Sequence, residues 1–133
     1  MHIEILNTGT ELLLGNTLNT HGSWFGQQLF NMGLRVVRQS TVPDGEAIRD
    51  AFNEMVVRSD ALLITGGLGP TSDDLTREIV AEALGLELHQ DEQALRTLEA
   101  FFAIRNKPMV AANLKQALVP TGADVLPNPN GTA

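Results

Sequence analysis

The chain has 133 residues, 43% of them hydrophobic, enough for one domain with a buried core and too few for two. Its net charge is −7 with only nine Lys and Arg, spread along the chain, so no basic stripe exists to grip a nucleic-acid backbone, and the lack of cysteine excludes a disulfide framework or thiolate metal site. No signal-like stretch opens the chain and no apolar run approaches the roughly 20 residues of a membrane span, so a soluble, cytoplasmic protein is expected.

From His2 to Leu6 a mainly apolar run ends in Asn7-Thr8-Gly9, a short buried strand emptying into a loop. Between Thr17 and Met32, the residues Leu18, Phe25, Leu29 and Met32 form a helical stripe, and Gly33 follows where a left-handed terminal residue is wanted. Trp24, at helical spacing, is expected in the core. Leu34 to Val42 reads as a second strand stopped by Pro43-Asp44-Gly45, and Ile48, Phe52, Met55 and Val56 mark a second helix.

Asp60 to Thr65 carries four consecutive apolar residues, as a parallel strand covered on both faces does, and is expected at the centre of the sheet. A helix over Asp74 to Leu84 ends at Gly85, and another over Asp91 to Arg105 carries Leu95, Leu98 and Phe102. A short helix up to Leu118, a weak strand at Asp124 to Leu126 and a tail rich in Pro, Asn and Gly complete the chain. Strands alternating with helices predict a parallel sheet with helices on both faces.

The sharpest feature is Thr65-Gly66-Gly67-Leu68-Gly69-Pro70-Thr71-Ser72-Asp73-Asp74-Leu75-Thr76, a glycine-rich turn between a buried strand and a helix. At the carboxyl end of a parallel strand, amides beside Gly66, Gly67 and Gly69 can approach a phosphate, and the next helix adds positive dipole. The same turn also serves in plain strand-to-helix connections. Asp73 and Asp74 would repel an anion unless a hard cation such as Mg²⁺ mediates, or else Ser72, Asp73 or Asp74 simply caps the helix. The loop Gly9 to Asn16 should open on the same sheet edge, which would let Glu11 face the aspartates or leave it a solvated charge. Asn16, Thr17 and Asn19 are equally readable as the start of the first helix.

His2, His21 and His89 share no metal spacing, and no Gly-x-Ser-x-Gly elbow exists for a serine nucleophile. Arg105, Lys107, Lys115 and Gln116 are candidates for phosphate or nucleobase contacts, although lone basic residues are usually solvated.

Gly9-Thr10-Glu11-Leu12-Leu13-Leu14-Gly15, Asn19-Thr20, Gly66-Gly67-Leu68-Gly69-Pro70-Thr71-x-Asp73-Asp74-Leu75-Thr76-Arg77-Glu78, Asn113-x-Lys115-Gln116-Ala117-Leu118-Val119-Pro120 and Leu126-Pro127-Asn128-Pro129-x-Gly131-Thr132-Ala133 occur in order. This combination resembles the N-terminal domain of the CinA (competence/damage-inducible protein) family over the whole chain. The resemblance implies one domain over residues 1–133, a three-layer α/β/α sandwich with a mostly parallel central sheet, similar to the molybdopterin-binding MoaB and MogA proteins. Two departures stand out. His21 replaces the Asn common after Asn-Thr, and relatives continue past Gly-Thr-Ala with Pro-Gly-Phe, so the domain is expected to be truncated at its C-terminal end.

The resemblance further implies metal-dependent hydrolysis of a nucleoside diphosphate sugar such as ADP-ribose to AMP and ribose 5-phosphate. On that expectation Asp73 and Asp74 are catalytic, and with Glu11 they hold Mg²⁺, Mn²⁺ or Co²⁺. The substrate would meet Thr10, Glu11, Gly66, Gly67, Leu68, Gly69, Thr71, Lys115, Asn128, Gly131 and Thr132. The alternatives are a non-catalytic module that binds a nucleotide or molybdopterin, and a molybdenum-cofactor biosynthesis enzyme. A homo-oligomer is expected by the same analogy.

Overall fold

The N-terminal strand is the centre of the first sheet. In the computed structural model, which describes residues 1–132, β1 (Ile3–Thr8) lies between β2 (Val36–Val42) and β3 (Ala61–Thr65), all parallel. Every residue of β1 is buried, so both faces are covered, whereas all five of β3 are only half-buried. The continuous apolar run of β3 had suggested the central place; it is one of the two outer strands, and β1 takes the centre even though it carries polar residues.

Those polar residues are satisfied. Glu4 receives a two-pronged pair from Arg58 (Nε to Oε1 2.7 Å, NH2 to Oε2 2.9 Å), and His2 Nε2 lies 3.1 Å from Oε1. The Arg58 hydrogen bonds outweigh burial, and with the Arg58 charge and the His2 contact they lower the Glu4 carboxyl to about 2. Asn7 ties the sheet together near its carboxyl end, donating to Ser40 O at 3.2 Å and accepting from Thr65 Oγ1 at 3.1 Å.

The chain divides into two compact units, Met1–Gly67 and the segment from Leu68 onward. In the first, α1 (Thr10–Leu13), α2 (Thr20–Asn31) and α3 (Glu46–Val56) accompany the sheet. Ile48, Phe52 and Met55 are buried, one face of α3 as its periodicity predicts, while Val56, expected with them, is exposed at the end of the helix. The stripe foreseen for α2 is shorter than expected. Asn19 caps the helix by accepting from Gly22 N at 2.9 Å, so Leu18 falls outside it, and Met32 sits at the terminal position; these are 83% and 71% exposed. Trp24, expected in the core, is instead 56% exposed and packs edge-to-face on Phe25.

The second unit holds α4 (Thr76–Ala83), β4 (Leu88–Gln90), α5 (Glu92–Ile104), a 3₁₀ helix (Ala111–Ala117) and β5 (Leu118–Pro120). Its buried side chains include Ile79, Leu98 and Ala117. β4 and β5 pair antiparallel, Leu88 against Pro120 and Gln90 against Leu118, where no strand was foreseen for either. The strand foreseen at Asp124 to Leu126 does not form, because Gly122 (φ 85°) and the Ala123 N to Pro120 O bond turn the chain just before it. No helix among the described residues is long and apolar enough to cross a membrane.

Candidate functional site

In the first unit the parallel register sets Asn7 beside Thr65, so the segments leaving β1 and β3 emerge at one sheet edge, as strand direction predicts. They meet closely: a Cβ added at Gly66 (φ 93°) would overlap the carbonyl oxygen of Thr8 and lie 2.6 Å from its Oγ1. That approach needs glycine twice over, for its backbone angle and for its missing side chain. Gly67 is also left-handed, at φ 65°.

Thr10 and Glu11 occupy the short helix α1 after β1, in a segment read from sequence as a loop. Thr10 is engaged by Asp44, whose Oδ2 accepts from its amide (3.0 Å) and its hydroxyl (2.9 Å). Asp44 thereby ties the segment after β1 to the turn after β2, a link that no local pattern announces because the partners are 34 residues apart. The exposed Glu11 carboxylate folds back toward Gly9, where an added Cβ would be 2.6 Å from Oε1.

In the second unit Asp74 shapes the glycine turn from inside. Its Oδ2 accepts from Thr71 N at 2.9 Å and from Thr71 Oγ1 at 2.5 Å, and the Gly69 amide donates to the same carboxylate. Burial raises the Asp74 pKa, but the bonds from Thr71 and Gly69, aided by the Lys115 charge, outweigh it and hold the carboxyl below its ordinary value. Asp74 therefore organises its own loop rather than capping the helix: α4 starts two residues later, with Leu75 at its cap position and no side-chain cap bond. The adjacent Asp73 is exposed, and Ser72 Oγ lies 3.5 Å from its carboxylate.

Lys115 and Arg77 turn onto the backbone of this loop. Farther along, Gln116 Nε2 donates to Thr132 Oγ1 at 2.6 Å, and Asn128 Oδ1 accepts from Asn130 N with Gly131 nearby. The second unit thus brings together Leu68, Gly69, Thr71, Asp73, Asp74 and Lys115, and separately links Thr132 to Gln116. Ala133, the last residue of the sequence motif, lies outside the described residues. Arg105 stacks its guanidinium 3.4 Å from the Phe101 ring centre. Among the described residues no group of three or more His, Cys, Asp and Glu side chains could hold a metal ion.

In parallel α/β sheets the edge where the strands end is the usual place for a ligand. The family described as "Probable molybdopterin binding domain" matches residues 4–127. The chain belongs to the CinA family within that class: it is 34% identical to the protein CinA with unknown function from Thermoplasma acidophilum, covering 99% of this chain and 78% of that one, with a TM-score of 0.86. It is also 48% identical over 133 residues to a CinA-like protein of Akkermansia muciniphila, all of this chain but 32% of the relative. It spans about a third of the length of the curated relatives it matches. The molybdopterin biosynthesis enzyme MoaB of Thermus thermophilus, 21% identical over 90% of this chain and 78% of its own with a TM-score of 0.59, shares the fold, which is of the MoaB/MogA type.

Proposed function

We propose that this chain is a binding module for a phosphorylated pterin of the molybdopterin type, its phosphate received by the glycine loop that follows β3. The observation that carries the reading is the Asp74 carboxylate gathering Gly69 and Thr71 into a preformed turn. A loop ordered before the ligand arrives loses little entropy on binding. The family match over residues 4–127 supports the pterin class.

Hydrolysis of a nucleoside diphosphate sugar such as ADP-ribose is the second reading, and the exposed Asp73 favours it. Asp74 is committed to its own loop, so the three-acid cage expected from sequence would reduce to Asp73 in this unit. Mg²⁺ is often held by one or two carboxylates plus ligand phosphates, and Asp73 fits that role with a cation that arrives with the diphosphate. Such an ion would polarise a phosphoryl oxygen; the chain's own part would be to hold the diphosphate.

Calorimetric titration with 6-hydroxymethylpterin diphosphate and with ADP-ribose, with and without Mg²⁺, separates the readings when AMP release is followed in parallel. The module reading expects pterin binding without turnover. AMP release that is lost in Asp73→Asn favours the hydrolase, and no binding of either compound defeats both.

A further inference from the structure

Both cations near the loop act on its carbonyl groups. Lys115 Nζ donates to the carbonyl oxygen of Thr71 at 3.2 Å and to that of Asp74, and pairs with Glu78 Oε1 at 3.4 Å. Arg77 uses both terminal nitrogens, NH2 to Leu68 O at 3.0 Å and NH1 to Lys115 O at 3.1 Å. Arg77 thus holds the beginning of the loop and also the backbone of the residue that holds its end. These are charge-assisted bonds, stronger than neutral ones, and Lys115 is only 21% exposed, so its charge is largely taken up within the unit.

In a trans peptide the N–H of the next residue points opposite to the carbonyl. Drawing the oxygens of Leu68, Thr71 and Asp74 toward the two cations therefore turns the amides of Gly69, Ser72 and Leu75 the other way. The Gly69 amide is taken by Asp74. Ser72 is an exposed residue of the turn, where an incoming anion would meet it.

We infer that Arg77 and Lys115 are positioning residues for phosphate recognition: a two-cation latch fixes the loop's carbonyls so that its apical amide faces the ligand, and neither side chain touches the phosphate. This rests on the reading of the loop as a phosphate site. It also reassigns Lys115, expected from sequence to contact the substrate.

The first arm of the test needs no ligand. Amide hydrogen exchange at Gly69 and Thr71 should accelerate about tenfold or more in Lys115→Met and in Arg77→Gln, with exchange at the core residue Leu98 unchanged. Lys115→Arg, which keeps the charge and several donors, should restore protection. Unchanged exchange at Gly69 and Thr71 in both variants overturns the latch; if one variant unfolds, Arg77→Lys, which cannot span two carbonyls with a rigid fork, takes its place with the same expectation.

The second arm titrates inorganic pyrophosphate at low and high salt. Lys115→Met should bind about tenfold more weakly at both, because an effect carried through backbone geometry is not screened. A loss that shrinks markedly at high salt signals direct contact with phosphate and overturns the positioning role. Failure of the wild-type chain to bind pyrophosphate would instead sink the functional reading, while the exchange arm still decides whether the latch exists.

Discussion

Gly66→Ala tests the close approach at the sheet edge. At φ 93° an alanine sits outside the comfortable region for L-residues, and its methyl would overlap the Thr8 carbonyl oxygen and lie 2.6 Å from Oγ1 and 3.1 Å from the carbonyl carbon. The backbone strain costs about 1–2 kcal/mol and the overlap with main chain roughly another 1–3 kcal/mol, so a loss of about 3 kcal/mol is expected. Gly33 is the control in the same unit: φ is 78° there and nothing lies within 4 Å of an added Cβ, so Gly33→Ala should cost only about 1 kcal/mol. With a urea slope of about 2 kcal/mol/M, the midpoint should fall by about 1.5 M for Gly66→Ala and about 0.5 M for Gly33→Ala, at unchanged slope. Equal shifts for the two variants would refute the argument from the Thr8 contact.

Asp74→Ala removes the acceptor of two amides and a hydroxyl, and should cost about 2–3 kcal/mol while abolishing phosphate binding; calorimetry and urea melts check both. The pKa of Glu4, lowered from 4.5 to about 2, means the group binds fewer protons folded than unfolded around pH 3 to 4. Its stabilisation is therefore present above about 4.5 and lost as pH falls toward 2, and Glu4→Gln should flatten stability against pH across that window in acid titrations followed by circular dichroism. Trp24 is the sole tryptophan and over half exposed, so native fluorescence should be red-shifted and readily quenched by acrylamide, and Trp24→Ala should cost less than about 1 kcal/mol. A blue-shifted, unquenchable emission would contradict the placement.

What the sequence revealed depended on the range of the physics. The stripe of α3 and the left-handed Gly85 after α4 follow from rules that act over one or two helical turns, and each is present, while the helix start left open among Asn16, Thr17 and Asn19 falls at Asn19. The common edge of the β1 and β3 segments followed from parallel strand direction alone. Three-residue strands such as β4 and β5 are too short to carry a period, and continuous apolar character could not tell β3 from the true centre, β1.

Within the glycine loop the residue types suggested an anion site, and they did not show how the carboxylates divide. Whether Asp74 bends back onto Thr71 or points outward depends on turn geometry three residues long. The cations that steady the loop are farther from view: Lys115 reaches Thr71 across 44 residues, and Arg58 reaches Glu4 across 54. Such pairings arise only when the chain has folded, so Lys115, which alone could be read as solvated, is found bonded to the loop backbone.

The central claim is that the loop after β3 receives a phosphorylated pterin, and amide chemical-shift mapping by NMR during titration with 6-hydroxymethylpterin diphosphate tests it most directly. The account predicts saturable shifts concentrated in Gly66 to Asp74, led by Ser72. Shifts that leave this segment untouched, or no shifts at all, would contradict it.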